Sequence, residues 1–349
     1  MRRRTRAAIL AATLALLLGA APVLACGGLI GPNGAVNLLQ TTTLAGYHTG
    51  IEHYITAFQF AGGGGAFGSL TPLPGIPSSV EKGGDWTLQR LIRETNPVDE
   101  RLALQFSAAA PAAGAQVLMQ VKIDALDITI LKGGGADVGA WATQHGFRLP
   151  PDAPEVLDFY ASRSPIFLAA AFDADAAAAR GQQIGDGTSV HVTIPTPNPW
   201  VPLRILGLGK SGTDRVTADV YLLTDRQPAL LPVPTGGNGI RLDHSANASS
   251  SLLADLRSDR GMEWVPDSAF LTKVAIDATA GQLSYDLAVD ASGSGAPSRI
   301  QAGLDPVPLT TEAATGARLL LVTLLTLTAL GSLWLVVRSA TSSARPTAS

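Results

Sequence analysis

The sequence predicts an α+β fold, made of a strand-rich extracytoplasmic region with a few helices and one C-terminal transmembrane helix. Three observations predict it. Short alternating apolar segments recur along the chain, three segments have helical apolar spacing, and the two kinds of element occur in clusters rather than in a regular βαβ order. The 37 Gly and 23 Pro residues indicate short elements joined by turns.

Alternation of apolar and polar residues predicts nine strands. They span residues 35–44, 51–60, 116–123, 128–131, 166–172, 189–194, 216–224, 273–276 and 283–289. The clearest is 51–60, where Ile55, Ala57 and Gln59 share one face of the extended chain and the aromatic residues share the other.

Three helices are expected among these strands. The first is expected to be capped by Asp85 and to end before Asn96 and the proline that follows it. Gly146 is suited to end the second, and the third begins near Asp152 with Pro154 in its first turn. The apolar faces would hold Leu88, Leu91 and Ile92 in the first helix, Val138, Trp141, Ala142 and His145 in the second, and Val156, Leu157 and Tyr160 in the third.

The N-terminus has the order of a secretory signal peptide. Four arginines occur within the first six residues, an uncharged apolar run covers 7–18, and small or aliphatic residues at 23–25 suit a signal peptidase. The run is short for a membrane span, so cleavage is favoured over the alternative of an uncleaved anchor.

Cys26 is the single cysteine, so a disulfide within the chain is excluded. The stretch Val23-Leu24-Ala25-Cys26 resembles a lipobox, which makes Cys26 a candidate for lipidation. The alternatives are an ordinary thiol left after cleavage, and an intermolecular disulfide or reactive thiol.

The C-terminus contains a predicted transmembrane helix at 319–337. This segment has no charged residue, and its length matches the hydrocarbon thickness of a bilayer at about 1.5 Å per residue. Arg338 and Arg345 follow it without any acid, which predicts a cytoplasmic tail. The alternative is a fully buried soluble helix. We therefore expect a single-pass protein of the cell membrane with most of the chain outside the cytoplasm.

The expected organisation has seven parts. They are a signal peptide at 1–25, a strand-rich N-terminal subdomain at 26–124, an α+β subdomain at 125–228, a strand-rich segment at 229–309, a tether at 310–318, the transmembrane helix at 319–337 and a cytoplasmic tail at 338–349.

The charge distribution argues against nucleic-acid binding. Seven of the 25 Lys and Arg residues lie before residue 27 or after residue 317, whereas none of the 28 Asp and Glu residues does, so the region 27–317 carries a net charge of about −10. Such a surface repels a phosphate backbone.

The sequence motifs give little support for a nucleotide site or a metal site. The glycines at 63, 65 and 68 fit G-x-G-x-x-G, but prolines at 72 and 74 prevent the helix that must follow. The stretch 207–211 resembles a phosphate loop, but Arg204 stands where that motif requires glycine. We expect neither a cofactor nor a metal site.

Neither the histidines nor the acids have a spacing that predicts a metal site or a catalytic pair. His48 and His53 are five residues apart, which would put them on opposite faces of one strand, and the histidines at 145, 191 and 244 are expected to stand alone. Asp173 and Asp175 could bind calcium, but paired loop carboxylates are usually just solvated. No nucleophile motif is present, and catalytic residues remain unknown.

Several stretches in order resemble a bacterial family, domain-of-unknown-function family 2330. They are ACGG (25–28), FGSLTPLPGIP (67–77), WATQHGFRLPPDAPEVLDFY (141–160), PIFLAAAF (165–172), PNPWVPLRI (197–205), VYLLTDRQ (220–227) and FLTKV (270–274). The resemblance covers most of residues 25–290. It implies a secreted or membrane-anchored protein with no assigned activity, and it supplies no catalytic residues.

Two functions remain open. The first is a binding or scaffolding module of the cell envelope, whose partner is an envelope protein or an extracellular ligand. The alternative is an envelope hydrolase whose acids, such as Asp173, Asp175 or Glu155, meet only in three dimensions. The lack of a catalytic motif favours the first.

Overall fold

Two large β-sheets packed face to face form the centre of the protein in a computed structural model. The model describes residues 28–31, 34–35, 41–59, 67–96, 116–181 and 187–307. The strands outnumber the helices in these ranges, which confirms a strand-rich α+β fold.

Sixteen strands occur in the described ranges. They are β1 (Gly28–Gly31), β2 (Gly34–Ala35), β3 (Thr41–His48), β4 (Ile51–Gln59), β5 (Phe67–Pro72), β6 (Ser79–Lys82), β7 (Gln116–Ile123), β8 (Leu126–Lys132), β9 (Ile166–Phe172), β10 (Gly187–Pro195), β11 (Trp200–Val201), β12 (Arg215–Thr224), β13 (Ala229–Leu231), β14 (Ile240–Asn247), β15 (Phe270–Thr279) and β16 (Leu287–Asp290). The predicted strands at 116–123 and 166–172 are found with the same ends as β7 and β9, the other predicted strands from β4 onward are found with shifted ends, and the predicted strand at 35–44 is replaced by β3.

The strands form three sheets. The orders are β2-β1-β5-β9-β8-β7 for the first, β14-β15-β12-β3-β4-β10-β6 for the second, and β11-β16-β13 for the third. Neighbouring strands are antiparallel except for β3 and β12, which run parallel. The second sheet therefore combines strands from all three expected segments of the outer region.

Five α-helices accompany the sheets in this part of the chain. They are α1 (Thr87–Thr95), α2 (Gly135–Gln144), α3 (Ala153–Ala161), α4 (Ala174–Ala179) and α5 (Ser250–Ser258), with 3₁₀ turns at Arg204–Gly207 and Ala280–Gln282. The three expected helices are confirmed as α1, α2 and α3. Gly146 has φ +77° after α2, as its position predicts.

The helices cover the outer faces of the two large sheets, which makes four layers. One core cluster fills the space between the sheets with residues such as Ile128 and Leu168 from the first sheet and Val192 and Val220 from the second. A second cluster packs α2 and α3 on the first sheet, and a third packs α1 and α5 on the second. Because successive side chains of a strand point to opposite faces, each large sheet contributes one face to the core between the sheets and the other face to a core beneath the helices.

The predicted cap of α1, Asp85, was wrong. Asp259, rather than Asp85, accepts hydrogen bonds from the N–H groups of Asp85 and Trp86 and from the hydroxyl of Thr87. A carboxylate is favoured at this helix end because the free N–H groups point toward it. Gly84 is required beside it, because a Cβ at that position would lie 2.2 Å from Asp259 Oδ2.

The end segments of the expected organisation are outside the described ranges. This applies to the signal peptide, the tether, the transmembrane helix at 319–337 and the tail. Within the described ranges, each helix is too short or too polar to cross a membrane. The described residues as far as Asp305 group as one compact unit. The expected boundaries at 124 and 228 stay predictions.

A buried carboxylate joins three segments that are distant in the sequence. Asp286 is fully buried and accepts hydrogen bonds from the N–H groups of Leu203 and Arg204, at 2.8 and 3.0 Å. It also accepts from the Tyr160 hydroxyl at 2.8 Å and from Arg163 Nη2 at 2.7 Å. A buried charge is tolerated only with such compensation.

Tyr160 and Arg163 extend this network. The Tyr160 hydroxyl accepts a hydrogen bond from the N–H of Ile205, and burial and the neighbouring Asp286 raise its pKa well above the ordinary value, which keeps it neutral. The Arg163 guanidinium lies 3.7 Å from the Phe159 ring centroid. Helix α3 is thereby attached to the segment around Trp200, whose indole stacks on Tyr160.

We predict that the Arg163→Met variant loses roughly 3–5 kcal/mol of the free energy of unfolding, because it leaves the Asp286 carboxylate buried without its cation. Urea unfolding followed by tryptophan fluorescence measures this loss. The matched control is Arg215→Met, which breaks an exposed pair with Asp277 and should cost about 1 kcal/mol or less. Equal losses in the two variants would contradict the role of the buried network.

Candidate functional site

A charged cleft lies at the first turn of α3. Its volume is about 230 Å³. It is lined by Asp152, Glu155, Val156, Arg204, Gly207, Lys210, Gly212, Ala280, Gly281, Leu283 and Ser284. We call it the Lys210 cleft. Its walls are α3 and the two 3₁₀ turns, and the Asp286 network fixes α3 against the first of those turns.

Both acids of the Lys210 cleft are already engaged by internal partners. Glu155 forms an ion pair with Arg204, and the Arg204 guanidinium also lies 4.1 Å from the Phe159 ring centroid. Both oxygens of Asp152 lie within 3.1 Å of the N–H of Gly209. These contacts orient both acids, and the ion pair with Arg204 offsets the charge of Glu155.

Lys210 is the cation of the cleft that lacks such a partner. Among the described residues, no carboxylate oxygen lies within 4.0 Å of its ammonium group. Burial lowers the pKa of Lys210, and the more distant charge of Asp214 offsets part of this effect. The ammonium group is thus partly desolvated, and Asp214 compensates this only in part and without an ion pair in the described chain.

A second, smaller pocket has a volume of about 150 Å³ and a polar lining. Tyr47, Asn198 and three prolines line it together with the loop that follows β16. In that loop Asp290 accepts hydrogen bonds from the hydroxyls of Ser292 and Ser294. Burial alone would raise the pKa of Asp290, but these bonds outweigh it and lower the pKa to about 2.

Glu52 lies fully buried next to this pocket, across the β3–β4 pair from Tyr47. Neither carboxylate oxygen makes a hydrogen bond of standard geometry. Burial raises the pKa of Glu52 to about 8, and the backbone of Trp200 opposes the rise only in part. Glu52 is therefore largely protonated at neutral pH. Burial also raises the pKa of Tyr47, with smaller effects from nearby carboxylates including Glu52.

Two histidines that were expected to lie apart form a buried pair. His53 Nδ1 is 2.9 Å from His191 Nε2, and the His53 ring stacks on Trp264 at a centroid distance of 4.0 Å. Burial lowers the pKa of His53 to about 3, with smaller contributions from the neighbouring His191 and His48, and burial lowers the pKa of His191 to about 4. Both rings are neutral near pH 7, and one donates a hydrogen bond to the other.

The expected separation of His48 and His53 was also wrong. A turn at Thr49 and Gly50 places His48 on β3 and His53 on β4, which are paired antiparallel strands. Gly46 lies directly opposite His53, and His48 is two residues from Gly46, so His48 and His53 are on the same face of the sheet. His48 nevertheless bonds to Asp225 at 2.6 Å. Among the described residues, no three His, Cys, Asp or Glu side chains are grouped to hold a metal ion.

The candidate catalytic acids have separate local roles. Asp173 Oδ1 accepts a hydrogen bond from the N–H of Ala176 at the start of α4, and Asp175 is exposed within that short helix. Glu155 lies in the Lys210 cleft. No described contact joins Glu155 to the other two acids. Cys26 and the glycines at 63 and 65 lie outside the described residues.

The glycine-rich stretch at 207–211 was rejected as a phosphate loop, yet it forms one wall of the Lys210 cleft. The sequence did contain a signal, since a lysine among closely spaced glycines is suited to an exposed turn with a free ammonium group. The side chains that complete the cleft come from residues 152–156 and 280–284, and no local pattern connects these segments.

A family model matches residues 25–289 of the chain. Its description is uncharacterized protein conserved in bacteria (DUF2330). The chain belongs to this family. The match confirms the resemblance seen in the ordered stretches. The matched range includes the whole Lys210 cleft and those residues of the smaller pocket that precede residue 290. No curated protein shows significant sequence similarity to the chain.

Solved structures of baculovirus P35 are similar over much of the chain. The crystal structure of baculovirus P35 gives a TM-score of 0.38 at 10% identity, covering 72% of this chain and 96% of that chain. A mutated baculovirus P35 after caspase cleavage gives 0.37 at 7% identity, covering 72% and 99%. Similarity at this level assigns no function to the DUF2330 chain.

We predict that Glu52→Gln changes how the free energy of unfolding depends on pH. Because the folded pKa of about 8 exceeds the ordinary 4.5, the stability contributed by Glu52 is fully present below pH 4.5. That contribution is lost as pH rises through the folded pKa. Glutamine does not titrate, so the variant should lose roughly 3–5 kcal/mol less than the wild type over this range.

Urea unfolding at pH 5, 6.5 and 8.5 measures this difference. The exposed Glu81→Gln substitution on β6 is the matched control and should keep the wild-type profile. Parallel profiles for Glu52→Gln and the wild type would show that Glu52 is not held in its neutral form by burial.

Proposed function

We propose that this DUF2330 protein is a binding module of the bacterial cell envelope, anchored in the membrane by residues 319–337 and exposed outside the cytoplasm. The single observation that carries the binding role is the state of the Lys210 cleft. Its acids are engaged by fixed internal partners, which leaves a preorganised surface with one uncompensated cation and no free acid–base pair.

The same contacts weigh against the alternative of a carboxylate-based envelope hydrolase. Such an enzyme needs one protonated and one ionised carboxyl group that both reach the substrate. Glu52 and Asp290 have the required difference in pKa, but Glu52 is fully buried and Asp290 is occupied by the hydroxyls and N–H groups of its own loop. A binding role needs neither group to react.

The location outside the cytoplasm rests on the sequence of the two ends. Arginines before the first apolar run and after the second favour the inner side of the membrane for both ends, and the acidic region between them would be exported. Cys26 would become the first residue after cleavage, with or without an acyl chain.

We predict that deletion of residues 319–337 releases the protein from the membrane pellet into the soluble envelope fraction, because the uncharged helix supplies the main apolar attachment. Immunoblotting of fractionated cells measures the distribution. Deletion of 338–349 alone is the control and should leave the protein in the pellet.

Protease added to intact spheroplasts should remove the region between 27 and 317 and should leave a fragment that contains 319–337. Survival of the full-length protein under conditions that digest a known exported protein would contradict the proposed location. Retention of the 319–337 deletion in the pellet would contradict the proposed anchor.

A further inference from the structure

We propose that the Lys210 cleft binds a monocarboxylate with a short apolar portion, such as the carboxyl terminus of a peptide. This inference rests on the proposed binding function and names the chemistry of the ligand. It depends on the charge balance of the cleft, the placement of its apolar residues and its volume.

The cleft has two acids and two bases, but the position of Lys210 favours an anion beside its ammonium group. Glu155 forms an ion pair with Arg204, and Asp152 accepts a hydrogen bond from the N–H of Gly209. Neither acid therefore forms an ion pair with Lys210. Lys210 keeps its ammonium group half-buried, with no carboxylate at ion-pair distance in the described chain. A ligand carboxylate would supply the missing partner through a charge-assisted hydrogen bond.

A single negative charge suits the cleft better than two. Lys210 offers one point charge, and the Arg204 guanidinium is held by Glu155 on one side and by the Phe159 ring on the other. Asp152 and Glu155 at the rim would repel a dianion such as a phosphate monoester. The ligand class is therefore a monocarboxylate.

The rest of the lining suits a small apolar group. Ala280 is the more exposed aliphatic residue of the lining, and the largely buried Val156 and Leu283 lie behind it, next to Ser284. Gly281 allows two segments of the wall to pack closely, because a Cβ at this position would lie 2.9 Å from the carbonyl oxygen of Gly212. A volume of about 230 Å³ is below the usual range for drug-sized ligands and fits a dipeptide end.

The test uses the full chain in detergent micelles and the probe N-acetyl-alanyl-alanine, with the C-terminal amide of the same dipeptide as the uncharged control. Isothermal titration or ligand-observed NMR measures the affinity. We expect the acid to bind, the amide to bind at least about tenfold more weakly, and the affinity of the acid to fall with added salt.

Three variants locate the effect. Lys210→Met should weaken binding of the acid about tenfold or more, whereas Lys210→Arg keeps the positive charge and should retain most of the affinity. Lys132→Met removes a charge from an exposed lysine on β8, outside both pockets, and should leave the affinity unchanged.

Two results would overturn the inference, namely equal affinities for the acid and the amide, or unchanged affinity in Lys210→Met. Inorganic phosphate is a further probe, and tighter binding of phosphate than of the dipeptide would show that the ligand class is wrong. The same NMR samples report whether the dipeptide is cleaved. Cleavage would contradict the proposed binding function, whereas failure of the dipeptide to bind would contradict only the ligand assigned to the cleft.

Discussion

The Asp286 carboxylate is buried at the meeting point of α3, the turn after β11 and the segment that leads into β16. Tyr160 and Arg163 donate from α3 and the residues after it, and Leu203 and Arg204 donate backbone N–H groups from the turn after β11, while the segment that leads into β16 contributes the acceptor. Because one oxygen is shared between Tyr160 and the two N–H groups, none of the segments can move without leaving a buried polar group unpaired. The Lys210 cleft is built from the outer surfaces of the same segments, and its shape therefore depends on Asp286.

The buried ionisable groups show what decides whether a charge is kept inside the protein. Burial raises the pKa of Asp286, and Arg163 and several hydrogen-bond donors oppose that rise because they stabilise the ionised form. Glu52 has little compensation and becomes a neutral acid, while His53 and His191 stay neutral bases that bond to each other. Lys210 lies between these cases, because it is half-buried and lacks a nearby carboxylate in the described chain. We regard this intermediate state as typical of a group that meets its partner in a ligand.

The sequence predicted those features that depend on local periodicity. The faces of α2 and α3 and the alternation of β4 were correct, and Trp141 and Tyr160 are fully buried as their spacing indicates. Helix α5 was missed although Ser249 caps it and Leu252, Leu253 and Leu256 form its buried face, so its signals were local and readable. The Asp259 cap and the His53–His191 pair join residues 138 or more positions apart, and a single sequence contains no record of such contacts. The Lys210 cleft was unpredictable for the same reason.

The central claim is that Asp286 and Tyr160 fix the turn at 203–205, which forms one wall of the Lys210 cleft. Amide hydrogen exchange of the full chain, measured by mass spectrometry, tests this claim most directly. The N–H groups of Leu203, Arg204 and Ile205 lie in a short turn, yet each donates to a buried oxygen of this network. We predict that they exchange as slowly as the central strands β12 and β15, because exchange then requires global unfolding. Exchange within seconds, at the rate of an exposed loop, would contradict the account.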